Sequence, residues 1–265
     1  MKGWTDAVGV LLGSIPRQSN TIGRAGVCRA GLAGSCHHRD RAKQAGSQMP
    51  ILLDLFCKAG GAGMGYHLAG FDVVGVDIEP QPNYPFECVQ ADAIEYLIKD
   101  GKRFDAIHAS PPCQAYSKAA KIMKRRHPDL IAKTRDAMPA GKPWVIENVE
   151  GSPLLNPITL CGYSFNLRTY RHRLFESSVK LKAPKHRYHD KRITKMGRPP
   201  KPGEMMHVIG NFSGVSAARI AMGIDWMTRN ELREAIPPAY TKWIGKQVLG
   251  VLSQTPDETN GERRR

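Results

Sequence analysis

The segment Ser110-Pro111-Pro112-Cys113-Gln114 contains the side chain best suited to covalent chemistry in this sequence. Cysteine as thiolate is a strong nucleophile, and the two prolines before Cys113 stiffen the backbone and remove two competing N–H groups. The segment follows an apolar run, Phe104 to Ala109, that reads as a buried strand. The carboxyl end of a central parallel strand is where open α/β sheets bind ligands. A buried structural cysteine is the alternative, and it accounts for neither the prolines nor the glutamine. Glu147, in Glu147-Asn148-Val149, ends a second such run from Trp144 to Asn148 and faces the same edge. A carboxyl partly buried there holds its proton near neutral pH and suits hydrogen bonding to a ring nitrogen. Alone, it would read as a surface Glu at a strand end.

A third cluster is Asp54-Leu55-Phe56-Cys57-Lys58-Ala59-Gly60-Gly61-Ala62-Gly63-Met64-Gly65. Glycines after a first parallel strand let the backbone approach a ligand closely and open a helix toward it. Asp77, at the end of the next strand, is placed for ribose hydroxyls. This much suits a dinucleotide as well as S-adenosylmethionine. The spacing is not GxGxxG, and an acid inside the first strand, Asp54, favours the ammonium group of the methyl donor. A tight strand–helix turn without ligand is the plain alternative.

The elements that must carry these residues alternate in an α/β manner. Strands are predicted at Ile51–Phe56, Val73–Ile78, Cys88–Ala91, Phe104–Ala109 and Trp144–Asn148, with further strand-like runs at Ile158–Cys161 and Arg173–Phe175. Helices are predicted through Tyr66–Ala69, over Ala93–Lys99, and over Ala239–Leu252, where Pro237-Pro238 starts the last one. Residues 1–48 lack periodicity and are rich in Gly, Ser, Ala and Arg, so a disordered arm is expected. Met49, just before the first strand, is a candidate translation start. The catalytic and cofactor domain is expected over 49–180, a short basic excursion over 181–210, a return to that domain over 211–252, and a disordered tail over 253–265.

The formal charge is +15, of which the arm holds five and the tail none, so about ten belong to the folded body. Lys182 to Lys201 alone has eight Lys or Arg against one acid. Such charge makes a polyanion a plausible partner, because Lys and Arg gain affinity by releasing phosphate counterions. No apolar run approaches the ~18 residues of a spanning helix, so no membrane partner is expected. The six cysteines form no CxxC pair, which favours a reducing, cytoplasmic setting. Cys28, Cys36, His37 and His38 match no standard zinc spacing, and no metal site is expected.

Taken together these segments resemble the cytosine-C5 DNA methyltransferase family. Asp54 to Gly61 resembles its cofactor loop, Pro111-Pro112-Cys113-Gln114 its nucleophile loop and Glu147-Asn148-Val149 its glutamate segment. Thr169-Tyr170-Arg171-His172-Arg173 is similar to its paired-arginine segment and Ala235-Ile236-Pro237-Pro238 to its closing motif. The resemblance covers roughly residues 50 to 250, in the family's order. It implies a Rossmann-like class I S-adenosylmethionine-dependent methyltransferase fold with a small basic recognition insertion.

It further implies catalysis by Cys113, Glu147, Arg171 and Arg173, and cofactor contacts from Asp54, Phe56, Gly60, Gly61, Asp77, Ile78, Asp92 and Pro112. Of these, Asp92 would meet the adenine. DNA contacts would come from Gln114, Ser117, Lys118, Lys121, Lys124, Arg125 and Arg126, in a loop that closes over the substrate; a solvated basic helix is the alternative there. The implied partner is double-stranded DNA, bound by a monomer in a bacterial or phage-infected cytoplasm. An RNA (tRNA) methylase of the same chemistry and a catalytically silent DNA-binding homologue are the competing readings.

Three departures from the family stand out. Thr169 replaces the usual Gln, and Arg233-Glu234 precede Ala235 where Gly-Asn is usual. Fewer than 40 residues separate Arg173 from Gly210, which leaves room only for a short or relaxed target readout. Compact versions of this kind point to a phage or prophage origin.

Overall fold

The computed structural model describes residues 49–112 and 130–254. Cys113 and the basic residues Lys118 to Arg126 lie outside them, as do Gln114, Ser117, the N-terminal arm and the tail beyond Gln254.

Among the described residues one seven-stranded sheet forms the body, in the order β3-β2-β1-β4-β5-β7-β6. The strands are β1 (Ile51–Leu55), β2 (Asp72–Asp77), β3 (Glu87–Gln90), β4 (Ala106–Ala109), β5 (Trp144–Asn148), β6 (Ile158–Leu160) and β7 (Arg173–Ser177). The first five are parallel; β7 runs antiparallel to both β5 and β6. Strands covered on both faces read as near-continuous apolar runs. That is why β1, with all five residues buried, was legible in the sequence.

Side chains alternate along β1. Leu53 and Leu55 enter one apolar cluster with Leu97, Ile107 and Ile131. Leu52 enters the other, with Tyr66, Phe71, Tyr240 and Ile244. The first cluster is roofed by helices α2 (Ala93–Asp100) and α3 (Leu130–Asp136), the second by α1 (Gly61–Ala69) and α6 (Pro238–Leu252). Helices α1 and α6 pack so closely that a Cβ on Gly65 would lie 2.0 Å from Thr241 Oγ1 and 2.2 Å from the Pro238 carbonyl. A glycine is therefore required on that face of α1. Arg135 of α3 makes two hydrogen bonds to Glu176 of β7, at 2.6 and 2.7 Å, a bidentate pair that ties the helix to the antiparallel end of the sheet.

A third apolar cluster, built from Met206, Val208, Phe212, Ala218, Met222, Ile224, Met227 and Leu232, gathers α4 (Val215–Met222) and α5 (Arg229–Glu234). One link to the loop after β1 is Trp226, whose indole N–H donates to the Ala59 carbonyl at 2.8 Å. No described helix is long and apolar enough to cross a membrane.

Candidate active site

The loop after β1 is forced into an unusual path. Phe56 and Lys58 have φ of 55° and 45°, a region that L side chains rarely adopt, and Gly60 follows at 79°. Three bonds hold this path. The Cys57 N–H donates to the Val76 carbonyl, the Lys58 N–H donates to Asp77 Oδ2 at 3.0 Å, and Trp226 grips Ala59. Asp77 Oδ1 also accepts the Glu79 N–H at 3.1 Å. The Asp77 carboxylate thus braces two loops, and with two bonds accepted it keeps lone pairs for hydroxyl donors.

Asp54 is fully buried at the carboxyl end of β1. Its Oδ2 accepts the Tyr84 hydroxyl at 3.0 Å, while Oδ1 has no hydrogen-bond partner among the described residues. Tyr84 can reach it because Gly75, opposite Asp54 on β2, has no side chain; a Cβ there would lie 2.5 Å from the Tyr84 ring. Burial pushes the Asp54 carboxyl up to about 8, against a smaller lowering from the Tyr84 bond. An orphaned, costly carboxyl oxygen on a cleft wall fits a cationic ligand group better than a purely structural role.

This carboxyl gives a first expected result. Its folded-state value lies above its unfolded one, so folding takes up a proton between about pH 4 and pH 8, and stability falls as pH rises through that window. Asp54→Asn removes that loss. The melting temperature of the variant relative to wild type is expected to increase from pH 5 to pH 8 and then level off, by about 2–4 °C for each kcal/mol. A difference independent of pH would show that Asp54 is not held neutral by burial.

On the neighbouring strands, His108 of β4 and Glu147 of β5 are also buried. His108 accepts no proton at ordinary pH, since burial pushes it down to about 3. Its two ring nitrogens bridge the Tyr66 hydroxyl at 3.1 Å and Ser110 Oγ at 2.9 Å. Ser110 in turn hydrogen-bonds Glu147. Burial raises Glu147 above the ordinary carboxylate range, opposed by the charges of Arg173 and Arg171. Arg173 Nε lies 2.9 Å from Glu147 Oε1, but its N–H is not aimed at that oxygen, which is left without a hydrogen bond. Asn148 fastens the next loop, donating from Nδ2 to the Pro111 carbonyl at 2.9 Å.

These groups converge on one cleft of about 450 Å³. Its walls include Asp54, Phe56, Gly61, Asp77, Ile78, Pro112, Glu147 and Arg173 from the residues expected from sequence. Three expected residues stand elsewhere. Gly60 is the left-handed residue before α1 and does not line the cleft. Asp92 caps α2, with Oδ1 accepting the N–H groups of Ile94 and Glu95, and is not among the residues lining the cleft. Arg171 is buried behind the wall, donating to the carbonyls of Val208 and Arg233 at 2.8 and 2.7 Å. It braces the site, and only Arg173 of the pair faces the cavity.

Sequence reasoning did not find Lys58, Glu79, Ser110, Met227, Glu231 or Glu234 on the walls, nor Tyr84 behind Asp54. Arg233 and Glu234, noted only as a departure from the family's closing motif, line the cleft with Ala235 and Ile236.

Residues 51–153, which hold the cofactor loop, Pro112 and Glu147, match the family described as C-5 cytosine-specific DNA methylase. Over this segment the chain is similar to the cytosine-C5 methylases. Among curated relatives it is 28% identical over 113 residues to the type II methyltransferase M.FnuDI of Fusobacterium nucleatum, covering 38% of this chain and 32% of that one. It is 30% identical over 124 residues to M.AquIA of Picosynechococcus sp., covering 38% of this chain and 48% of the relative. The match therefore spans less than half the length of either. Among solved structures, the Dnmt2 methyltransferase of S. pombe superposes with a TM-score of 0.53 at 13% identity, covering 77% of this chain and 99% of that one. This likeness shows the fold: an α/β, Rossmann-like sheet.

Proposed function

We propose that the chain is a DNA (cytosine-5-)-methyltransferase using S-adenosylmethionine, with Cys113 as a transient covalent nucleophile. The observation that carries this is Glu147, buried, raised by that burial and set beside Arg173 on the wall of a cleft that Pro112 also lines. A carboxyl whose proton is held more tightly by burial is suited to deliver a proton or a strong hydrogen bond to a ring nitrogen.

When bound, the methyl donor supplies an electrophilic sulfonium methyl group. Asp54 would pair with its ammonium group, Asp77 would accept its ribose hydroxyls, and Phe56, Ile78 and Pro112 offer apolar surface. Ile78, 66% accessible on the cleft wall, leaves an aliphatic face open to a ligand. Glu147 protonates or hydrogen-bonds N3 of the cytosine. The Cys113 thiolate adds to C6, and the C5–C6 π electrons make C5 nucleophilic. C5 would take the sulfonium methyl group, the S–CH3 electron pair staying on sulfur to leave a neutral thioether, and loss of the C5 proton to water would return the electron pair that expels Cys113 as thiolate. Arg173 balances charge at the ring O2. A base within a stacked duplex cannot reach such a cleft, so it must be flipped out. Lys118, Lys121, Lys124, Arg125 and Arg126 are assigned to phosphates, contacts that position without specifying. A phage or prophage source remains part of this reading, in keeping with the compact sequence.

The test is transfer of labelled methyl from S-adenosylmethionine to duplex DNA and, in parallel, to tRNA, with bisulfite sequencing of DNA from an expressing host. Label and protected cytosines in DNA are expected. Label in tRNA alone, or in neither, would overturn the reading.

A further inference from the structure

Beyond the cleft, four residues from three separate segments meet at one point. Cys161 follows β6, His172 precedes β7, and His186 and His189 lie in the basic stretch after β7. One ligand atom from each comes within 4.8 Å of the other three. Cys161 Sγ is 3.3 Å from His189 Nε2, and His172 Nε2 is 3.2 Å from His186 Nε2. With Zn–N near 2.0 Å and Zn–S near 2.3 Å, a tetrahedral site sets neighbouring donors about 3.3–3.6 Å apart. Two of the contacts already have about that spacing, and the other pairs lie within 4.8 Å.

The surroundings agree with ligation. The second ring nitrogen of His172, Nδ1, is 3.2 Å from Glu150 Oε1, the carboxylate support that metal-bound imidazoles usually have. The Tyr170 ring stacks on His189 at 3.7 Å and fixes its plane. Cys161 is buried, packed with Tyr163, Tyr170 and Met205 in a small apolar cluster of its own. Three imidazoles converging at a point without a metal would leave their inward lone pairs and N–H groups facing each other.

We propose that Cys161, His172, His186 and His189 form a closed structural zinc site that anchors the basic stretch to the sheet. One sulfur and three nitrogens, with no open position, is a donor set suited to Zn²⁺. The stretch has little regular structure of its own. From Ser178 to Gly214 it holds no helix or strand, only the isolated bridge between Ile193 and Met205. Its other attachments are hydrogen bonds and ring contacts: Trp243 and Gln247 hold the Lys182 backbone, Arg187 lies over the Tyr163 ring at 3.9 Å and donates to the Tyr163 carbonyl, and the Lys191 N–H donates to the Tyr170 hydroxyl at 2.9 Å. The metal would also fix the start of β7, because His172 sits between Arg171 and Arg173 and Arg173 Nη1 donates to the His172 carbonyl. This site does not depend on the functional reading above; only its link to nucleic-acid recognition does.

The full chain, purified without chelator, is expected to contain about one zinc per molecule by mass spectrometry of the metal. Apo protein titrated with Co²⁺ should develop the visible bands of a tetrahedral site plus a thiolate-to-cobalt charge-transfer band, and Cys161→Ser should lose the latter. His186 is exposed, so His186→Gln will fold and should bind zinc at least roughly tenfold more weakly, and Glu150→Gln about 10–100-fold more weakly. Chelation should open the Lys182–Lys201 stretch to trypsin while leaving the sheet intact. Protein that holds no zinc as purified and gives no tetrahedral cobalt spectrum would overturn the proposal. Unchanged zinc affinity in both His186→Gln and Glu150→Gln would do the same.

Discussion

Cys113→Ser is expected to lower methyl transfer by roughly 1000-fold or more, while donor binding stays within about twofold of wild type. A serine hydroxyl at neutral pH is scarcely ionised and has no assigned base, so it cannot add to C6, whereas the thiol supplies a useful fraction of thiolate. Donor binding should survive because the loop that would hold the donor is braced independently of Cys113. Lys58 is bonded to Asp77, Ala59 to Trp226 and Asp54 to Tyr84. The checks are single-turnover methyl transfer and calorimetry with the demethylated donor. DNA containing 5-fluorocytosine gives a further readout: fluorine cannot leave C5 as a cation, so wild type should accumulate a covalent adduct and Cys113→Ser should not. Transfer retained within roughly tenfold of wild type would remove the covalent step.

Most of the parallel half of the sheet could be read from the sequence because β1, β2, β4 and β5 are buried almost throughout and carry runs of apolar side chains. Ile51–Leu55 and Trp144–Asn148 are the clearest cases. The final helix was legible for another reason: proline lacks the N–H that a first helical turn leaves unsatisfied, and Pro237-Pro238 mark its start. Boundaries shifted by a residue or two where ladder bonds end before the apolar run does, as at Phe56, whose positive φ takes it out of β1.

The site was less legible, because its far wall comes from distant positions. Trp226 and Ala59 are 167 residues apart, and Asn83 bonds Glu231 across 148. Nothing local in Met227, Glu231 or Glu234 announces a cleft; they arrive there because the third apolar cluster docks on the loop after β1. Asp92 illustrates the opposite difficulty. Asp at a strand–helix junction serves equally well as a ligand contact or as a cap, and here its oxygen caps α2. The Cys161 and histidine cluster escaped for a similar reason. Its members are drawn from three segments, two of them brought together by the β6–β7 pairing, so no short spacing marks them as a set.

Glu147→Gln should lower kcat by about 100- to 10,000-fold with little change in donor binding, and it should change the pH profile as well. The glutamine amide can still hydrogen-bond a ring nitrogen but has no acidic proton to give. In wild type the useful form of Glu147 is the protonated one. Burial raises its value above the ordinary carboxylate range, so activity that needs this proton is present below that raised value and lost as pH rises through it. The thiolate requirement acts in the other direction, giving a limb that rises with pH. Wild-type kcat/KM is therefore expected to pass through a maximum, and Glu147→Gln to keep only the rising limb. Arg173 provides the internal check. Its guanidinium, 2.9 Å from Glu147 Oε1, is the largest influence opposing burial. Removing that charge in Arg173→Gln should shift the falling limb to higher pH, although overall activity drops with the loss of charge balance at O2. A falling limb that stays in place in Arg173→Gln, or that persists in Glu147→Gln, would mean that another group sets it. The chain Tyr66–His108–Ser110–Glu147 then explains why so many buried polar groups gather under one carboxyl. A neutral His108, unable to charge near neutral pH, can hold Ser110 against Glu147 without adding a positive charge that would pull the proton away.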